Sequence, residues 1–362
     1  MSRYVDLMSR TQRLLVTAGE EASRFGLPDA DIDHLFLAVL LSDSTAGEAL
    51  RRSGITLDTA RDAVARYHTC QLQSLGLTTS LPEHDSVAKS PQPQGSNWTH
   101  RTQIVLNSVK LKDSDELEAQ VLRNLLNEPS GVIAGILESL EVTPARIDAE
   151  LATLTAPPAH NSAHSADSPE AAEHFYIPAA PDPVMRFLLD PNNMKFWGPQ
   201  YAVVEFHGDP HNPLPGDIWT GYTSGESERE HRTLPTATDG RAPRVISPRP
   251  DRAPTRTRHV SEQIELLERR NDRISWRFTS LDKPRTNARR VEVTLKPSEE
   301  GTRLKATLLW DTEANQEQQS ALGLRLKALA LRPMRPILRR LQRQAVAAQL
   351  SNIGNSISRV FR

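Results

Sequence analysis

The sequence predicts a multidomain protein in which an all-α domain precedes an α+β domain. Apolar residues recur at helical spacing over residues 1–154, and β-rich runs followed by a long helical stretch fill residues 174–358. A small, polar, proline-containing stretch at 155–173 separates them as a flexible linker. Residues 1–173 carry 14 basic and 24 acidic side chains, and residues 174–362 carry 30 and 21. The net charge of −1 is therefore the sum of −10 and +9, which predicts different partners for the two halves.

Composition and motifs exclude several classes of protein. No apolar run approaches the roughly 18 residues of a membrane-spanning helix, and the first residues lack the apolar region of a signal peptide. Cys70 is the only cysteine, so neither an intrachain disulfide nor a cysteine zinc site can form. The phosphate-binding motif Gly-x-x-x-x-Gly-Lys-Ser/Thr is absent. We therefore expect a cytoplasmic protein without this ATPase machinery, and the sequence indicates no cofactor.

Four short helices are expected in the first 70 residues. Gly26 and Pro28 end the first helix, and the following helices are expected at 33–41, at 46–52 and from the N-cap Thr56 to about residue 67. The apolar face of the first helix is formed by Leu7, Leu14, Leu15, Ala18, Ala22 and Phe25.

The same pattern returns later in the chain. The segment 49–56, Ala-Leu-Arg-Arg-Ser-Gly-Ile-Thr, matches the segment 136–143, Ile-Leu-Glu-Ser-Leu-Glu-Val-Thr. An internal repeat determines the architecture of a domain. We therefore predict two four-helix repeats, at about 1–70 and 98–154, joined by a linker at 71–97 that contains three prolines.

The second half predicts a sheet followed by a long helix. A short strand at 174–178 precedes a helix that opens at Asp182 and Pro183, and a helical stretch at about 318–357 ends the domain. Residues 226–256 contain five prolines and predict a long insertion. Six further strands are expected at 202–207, 217–223, 258–267, 273–280, 289–296 and 302–311.

The first half resembles the Clp N-terminal repeat, also called the Clp R domain. The residues that carry the resemblance are Thr17-Ala18-Gly19-Glu20-Glu21-Ala22, the run Ile32-Asp33-His34-Leu35-Phe36-Leu37-Ala38-Val39-Leu40, Ala49-Leu50 and Gly54-Ile55. This double four-helix domain stands at the front of ClpC-type unfoldases. The second repeat matches less well, and its motif region reads Leu117-Glu118-Ala119-Gln120-Val121.

The Clp resemblance implies a client-binding residue and a set of partners. In ClpC-type domains an acidic residue helps to bind clients that carry phosphorylated arginine. Asp33 matches that residue in the first repeat, whereas Ala119 occupies the position in the second. The alternative is that Asp33 only caps its helix, because aspartate is a preferred N-cap. The implied partners are Clp unfoldase or protease components, or their clients.

The second half resembles the SRPBCC superfamily of START-like and polyketide cyclase-like proteins. That family wraps a sheet around a C-terminal helix and usually leaves a hydrophobic cavity between them, so the resemblance implies a helix-grip fold and a hydrophobic ligand. The residues that carry it are Ile177-Pro178-Ala179-Ala180-Pro181-Asp182-Pro183-Val184, Leu188-Leu189-Asp190-Pro191, Phe196-Trp197-Gly198-Pro199, Gly216-Asp217-Ile218-Trp219-Thr220-Gly221, Ile274-Ser275-Trp276-Arg277-Phe278, Gly301-Thr302-Arg303-Leu304 and Leu331-Arg332-Pro333-Met334.

The candidate pocket residues are large and mostly aromatic. Ordinary core packing explains any single one of them equally well, because large aromatic residues dominate protein cores. No catalytic triad stands out, and the spacing does not select among Glu205, His207 and Asp217 as an acid or base. His207 and His211 lie in a Gly/Pro loop without a third ligand, so no metal site is predicted. The pocket candidates are Trp197, Trp219, Tyr222, Trp276, Phe278, Met334 and Leu338.

Three functional hypotheses follow from the sequence. The first is a non-ATPase binding protein of the Clp system, an adaptor, decoy or sequestering protein, whose SRPBCC domain binds a hydrophobic ligand or a client. The second is an SRPBCC cyclase, dehydratase or hydrolase with a Clp-N regulatory appendage. The third is a protein that binds a membrane surface or nucleic acid through its arginine-rich C-terminal stretch. The alternative reading of that stretch is a helix that buries its apolar face in the sheet.

Overall fold

A computed structural model describes most of the chain. The described residues are 2–77, 97–109, 117–155, 171–198, 201–206, 208–209, 212–223, 261–281, 288–311 and 335–362. The predicted insertion 226–256, most of the predicted interrepeat linker and Met334 lie outside this range. Contacts between Cα atoms divide the chain into two compact units. The first comprises 1–164, 175–180 and 297–303, and the second comprises 165–174, 181–296 and 304–362.

The first unit contains eight described helices in two sets of four. The first set is α1 (Ser2–Arg24), α2 (Ile32–Leu40), α3 (Thr45–Arg52) and α4 (Leu57–Ser74). The second set is α5 (His100–Asn107), α6 (Leu117–Leu126), α7 (Val132–Ser139) and α8 (Pro144–Thr155). Two short parallel strands, β1 (Asp29–Ala30) and β2 (Asn97–Trp98), join the sets. Helix α4 runs four residues into the linker predicted at 71–97.

Helix α2 is the centre of this unit. All nine of its residues are buried, and it packs against α1, α3, α4, α5, α6 and α7. A helix that is apolar all round, apart from Asp33 and His34, is expected to lie inside a bundle. Asp31, not Asp33, is its N-cap: the Asp31 carboxylate accepts from the Ile32 N–H, and the Asp31 N–H donates to Nδ1 of His34.

The two segments that match in sequence form the same turn. After α3, Gly54 has a φ of +88°, and after α7 the equivalent Glu141 has a φ of +56°. The next residue in each case donates its N–H back into the preceding helix, Ile55 to the Leu50 carbonyl and Val142 to the Leu137 carbonyl. This left-handed helix end is a common helix stop. The repeat seen in the sequence is therefore also a repeat of local structure.

The second half contains a seven-stranded sheet. The strands follow the order β3-β9-β8-β7-β6-β5-β4, and the pairs from β4 to β8 are antiparallel. Their bounds are β3 (Ala171–Ile177), β4 (Tyr201–Phe206), β5 (Ile218–Thr223), β6 (Ser261–Arg269), β7 (Arg273–Ser280), β8 (Ala288–Ser298) and β9 (Gly301–Asp311). The six strands predicted after the first are confirmed to within about three residues at either end.

Three described α-helices and one short 3-10 helix, Pro191–Asn193, accompany the sheet. Helices α9 (Pro181–Leu189) and α10 (Met194–Trp197) follow β3, and α11 (Arg335–Phe361) ends the chain. Antiparallel strands followed by a long C-terminal helix agree with an α+β helix-grip fold. No described helix has the length and apolarity needed to cross a membrane. Helix α11 buries one stripe of side chains, formed by Val346, Leu350, Ile353 and Ile357.

Candidate ligand site on the buried face of the sheet

The strand register places the large aromatic side chains on one face of the sheet. Trp219 lies opposite Ile264, Ile264 lies opposite Phe278, and Leu266 lies opposite Trp276. Residues directly opposite each other in an antiparallel pair share a face, and side chains alternate along each strand. We call this the buried face, because each of these five residues is at most 2% exposed.

Helix α10 adds a third tryptophan to this face. The rings of Trp197 and Trp276 have centroids 4.8 Å apart at an interplanar angle of 47°, and Phe206 meets Trp219 edge-on at 5.7 Å. The indole Nε1 atoms of Trp197, Trp219 and Trp276 are buried and have no hydrogen-bond partner among the described residues. Buried polar groups in folded proteins are nearly always paired, so three unpaired indoles in one region are unusual.

Three of the predicted pocket residues, Tyr222, Met334 and Leu338, need separate treatment. Tyr222 lies three positions after Trp219 in β5, so its side chain points to the opposite face. There it is half-buried, its hydroxyl lies 3.1 Å from Oε2 of Glu205, and this hydrogen bond raises the pKa of Tyr222. Met334 lies outside the described residues, and Leu338 belongs to α11 but its side chain is outside the described part.

A polar cluster that the sequence did not indicate lies on the buried face. The Tyr201 hydroxyl donates to Oε2 of Glu262 at 2.5 Å. Nη2 of Arg289 donates to both carboxylate oxygens of Glu262, at 2.6 and 2.8 Å. The Arg289 guanidinium also lies over the Phe278 ring, 5.6 Å from its centroid. Glu262 is opposite Gly221, and Arg289 is opposite Phe278, so the cluster shares the face of the tryptophans.

Two glycines make the position of Tyr201 possible. A Cβ at Gly221 would come within 2.6 Å of the Tyr201 ring, and a Cβ at Gly198 within 2.8 Å. The ring therefore occupies the space that side chains at these positions would need. Burial raises the pKa of Tyr201 well above its usual value, and the charge and hydrogen bond of Glu262 raise it further. Tyr201 is consequently a neutral hydroxyl donor at physiological pH.

The sequence does contain a signal for this cluster, namely two charged residues at positions that alternate in phase with buried apolar residues. Glu262 precedes Ile264 and Leu266 in the same alternating phase, and Arg289 likewise precedes Val291 and the further buried positions of β8. A charged residue in the phase of buried apolar residues needs a partner, because an unpaired charge is costly to bury. Pairing Glu262 with Arg289 required knowing that β6, β7 and β8 are neighbours.

Asp33 is buried in the first unit and already has partners. It is 1% exposed, and its carboxylate lies 2.5 Å from Nε2 of His68 and accepts from the His34 N–H at 2.8 Å. Burial alone would raise the pKa of Asp33, but His34 and His68 outweigh it and hold the pKa well below the usual range. Its role in client binding stays a prediction, and these contacts favour a structural role.

The helical unit also has an open groove of about 470 Å³ along α5 and α6. Ile104 is 54% exposed on its wall, and the side-chain amides of Asn124 and Asn127 lie beside it. Arg101 and Glu128 add one charge of each sign to the lining. Nδ2 of Asn124 already donates to the Val105 carbonyl and the Ser108 hydroxyl, and Nδ2 of Asn127 donates to the Arg123 carbonyl. The groove thus combines an apolar contact with amide oxygens.

The other residues considered for chemistry do not form a site in the described part of the chain. No group of three histidine, cysteine or carboxylate side chains is placed to bind a metal among the described residues. His207 and His211 lie outside those residues. Glu205 is exposed, and Asp217 accepts from the Leu214 N–H at 2.7 Å in a turn.

The chain thus contains a helical unit and an α+β sheet domain whose elements agree with a helix-grip fold. No protein-family model and no curated protein sequence matches the chain. Among solved structures, a Mycobacterium smegmatis protein has 15% identity and a TM-score of 0.32, covering 57% of this chain and 98% of its own. A Chromobacterium violaceum protein has 15% identity and a TM-score of 0.29, covering 52% and 96%. The protein Ara h 8.0201 has 9% identity and a TM-score of 0.29, covering 53% and 96%.

Proposed function

We propose that the sheet domain is an SRPBCC-like binding domain that holds an apolar, ring-containing small molecule against the buried face. The observation that carries this proposal is the set of three buried indole N–H groups, of Trp197, Trp219 and Trp276, without partners among the described residues. Leaving one buried donor unpaired costs about 1–3 kcal/mol. A ligand that presents oxygen atoms to these donors would recover that free energy, and its rings would pack on the aromatic side chains.

The chemistry of the site favours binding over catalysis. Glu262 accepts hydrogen bonds from both Tyr201 and Arg289, so it is a poor general base. Tyr201 directs its proton at Glu262, and its raised pKa makes it a weak acid. The alternative, a cyclase, dehydratase or hydrolase, needs a group that is free to move a proton.

Native mass spectrometry of the full chain purified from its source tests the proposal directly. We expect a bound small molecule that is released under denaturing conditions. Recombinant protein should bind the neutral dye N-phenylnaphthylamine saturably, with energy transfer from tryptophan. Absence of both a native ligand and saturable dye binding would overturn the proposal.

A matched pair of variants tests the role of the indoles on the native ligand. Trp276→Phe keeps an aromatic ring and removes one donor, and we expect it to weaken binding of the purified ligand by roughly 3- to 10-fold. Trp98→Phe, in the helical unit, is the control because β2 lies outside the sheet domain. Equal affinity of Trp276→Phe and wild type would remove the hydrogen-bonding part of the proposal.

We further propose that the helical unit binds protein clients, as an adaptor, decoy or sequestering module of the Clp system. The resemblance of residues 1–154 to the Clp N-terminal repeat and the groove along α5 and α6 support this. An extended segment of an unfolded client fits such a groove, because its backbone N–H groups can donate to the side-chain oxygens of Asn124 and Asn127 and its apolar side chains can cover Ile104.

Fluorescence anisotropy with labelled casein, an unfolded model client, tests the groove. Ile104→Ser should weaken binding by roughly 5- to 10-fold, because burying an exposed apolar side chain contributes about 1–1.5 kcal/mol. Met8→Ser is the matched control, since Met8 and Ile104 are both 54% exposed. Casein binding that Ile104→Ser leaves unchanged, or that is absent from the wild type, would overturn the groove assignment.

The predicted role of Asp33 is tested separately. Peptides that carry phosphorylated arginine are titrated onto wild type and Asp33→Ala at a temperature where both are folded. Loss of binding in the variant would support the client role, and unchanged binding would assign Asp33 to structure alone. Association with a Clp unfoldase is tested by cosedimentation of the two purified proteins.

A further inference from the structure

The buried face of the sheet holds more hydrogen-bond donors than acceptors. Three indole N–H groups have no partner in the described part of the chain. The two oxygens of Glu262, the charged acceptor on the same face, already receive hydrogen bonds from Tyr201 and Arg289. A molecule that complements this face must therefore supply acceptors, and an amine or other cation would add donors where none is needed.

Arg289 is the one described cation in this cluster, and it is only partly used. Its hydrogen bonds to Glu262 come from Nη2 alone. Nε and Nη1 have no hydrogen bond to any described residue, and 18% of the side chain is exposed, so these donors can be reached. A guanidinium presents its N–H groups in a planar fork that suits a carboxylate or similar anion.

The aromatic residues orient the guanidinium beside the apolar surface. Arg289 lies over Phe278, which is next but one to Trp276 on the same strand. A ligand whose rings lie on Trp276 would place a substituent near Arg289. Residues 174–362 carry a net charge of +9, which favours the approach of an anion.

We propose that this site selects an aromatic or polycyclic ligand that carries an acidic group, and that Arg289 binds the anionic oxygens of that group. This inference rests on the proposed ligand-binding function and narrows its ligand class. The three indoles then pair with further oxygens of the ligand, such as carbonyl or ether groups.

Two dyes that differ by one sulfonate test the inference. Anilinonaphthalene sulfonate and N-phenylnaphthylamine share their ring system, and only the first is an anion. Both are titrated onto the full chain at constant ionic strength, with energy transfer from tryptophan as the signal. We expect the wild type to bind the sulfonate about 10-fold more tightly or better, because hydrogen bonds from a charged donor to an anion are strong.

Two arginine variants test which residue causes the preference for the sulfonate over the neutral dye. Arg289→Gln should abolish it, and the readout is the ratio of the two dye affinities measured on the same protein. Arg277→Gln is the matched control: Arg277 also pairs with a glutamate, Glu265 at 3.0 Å, but its position in β7 alternates with Trp276 and Phe278, so it lies on the opposite face. It should keep the preference.

A second variant, which should strengthen the preference for the sulfonate, keeps the inference testable if Arg289→Gln does not fold. Glu262→Gln removes the negative charge beside Arg289, so we expect the ratio of sulfonate affinity to neutral-dye affinity to rise several-fold. Equal affinity of the wild type for both dyes, a preference that survives Arg289→Gln, or a lower ratio in Glu262→Gln would overturn this inference. Failure of both dyes to bind would also overturn this inference, and together with the absence of a native ligand it would overturn the proposed ligand-binding function.

Discussion

The Asp33 carboxylate on helix α2 lies 2.5 Å from Nε2 of His68 on helix α4, inside the helical unit. The hydrogen bond with Asp33 raises the pKa of His68, against an opposing effect of burial. His68 is 30% exposed, whereas Asp33 is 1% exposed, so water reaches the histidine and not the carboxylate. The pair therefore links two helices of the first repeat through a charge whose presence depends on pH.

This pair predicts a stability that falls as the pH rises. The pKa of His68 is higher in the folded than in the unfolded chain, so its contribution is complete below about pH 6.5 and is lost as the pH rises through the folded pKa. The pKa of Asp33 is lower in the folded chain, so its contribution is present above about pH 4 and is lost only at much lower pH. We expect His68→Gln to reduce the free energy of unfolding by roughly 1.5–3 kcal/mol at pH 5.5 and by less at pH 8.5.

Urea denaturation of wild type and His68→Gln across this pH range measures the difference. His100→Gln is the control, because His100 is exposed at the start of α5. A difference between wild type and His68→Gln that stays constant from pH 5.5 to 8.5 would show that the charge of His68 contributes nothing.

The helix end at Glu141 predicts a stabilising substitution. Glu141 has a φ of +56°, whereas the equivalent turn of the first repeat has glycine, Gly54, at a φ of +88°. A side chain is strained in this region, and glycine is not. Glu141→Gly should therefore raise the free energy of unfolding by about 0.5–1 kcal/mol despite the added freedom of the unfolded chain.

A glutamate-to-glycine substitution inside the preceding helix should instead lower the free energy of unfolding. Glu138 is exposed within helix α7, and Glu138→Gly should lower the free energy of unfolding by about 0.5–1 kcal/mol. Both variants are compared by chemical denaturation. If Glu141→Gly is as destabilising as Glu138→Gly, the left-handed turn at the second repeat is not formed.

The close packing of Tyr201 on Gly221 predicts a size limit at that glycine. Three atoms of the Tyr201 ring lie within 3.0 Å of the place where an alanine Cβ would stand. Gly221→Ala should therefore cost about 1–3 kcal/mol and move the hydroxyl away from Glu262. Thr220→Ala, on the opposite face of the same strand, is the control.

A second substitution identifies the cause. In Gly221→Ala/Tyr201→Leu the smaller, flexible side chain gives the methyl group room, so the cost of Gly221→Ala should shrink when it is measured against Tyr201→Leu alone. Denaturation of the four proteins supplies this double-mutant cycle. If the free-energy costs of the two substitutions simply add, the cost of Gly221→Ala does not arise from contact with Tyr201.

Most of the fold could be predicted because its signals are local. Apolar periodicity, Thr56 as an N-cap and the paired turns at Gly54 and Glu141 each lie within one or two elements. Asp31 rather than Asp33 caps α2, because both are aspartates at a helix start and only the backbone geometry decides between them.

The site was less predictable because its residues meet through long-range pairing. Trp219, Trp276 and Phe278 were found as large aromatic residues, and the alternation within β5 could have excluded Tyr222. Tyr201 and Glu262 are 61 residues apart, and no sequence pattern places them together. What joins them is the adjacency of β4, β5 and β6 and the space that glycine leaves.

The buried ion pair between helices α1 and α4 gives the largest expected effect on stability. Glu21 is fully buried and Arg61 is 2% exposed, and two hydrogen bonds of 2.8 Å connect their side chains. Arg61→Met would remove both of these hydrogen bonds and leave the buried Glu21 carboxylate only its longer ion pair with Arg24, whose Nε lies 3.6 Å from Oε1. We expect a loss of about 3–5 kcal/mol in the free energy of unfolding.

Replacing both members should cost much less, because no buried charge then lacks its partner. The double variant Glu21→Leu/Arg61→Met is expected to recover at least half of the loss, since apolar residues of similar size can replace a buried pair. Arg52→Met is the control, because the exposed Arg52 pairs with Glu48 one turn earlier on α3 and surface pairs contribute little. A double variant no more stable than Arg61→Met would mean that packing around the guanidinium, rather than its charge, holds α1 against α4.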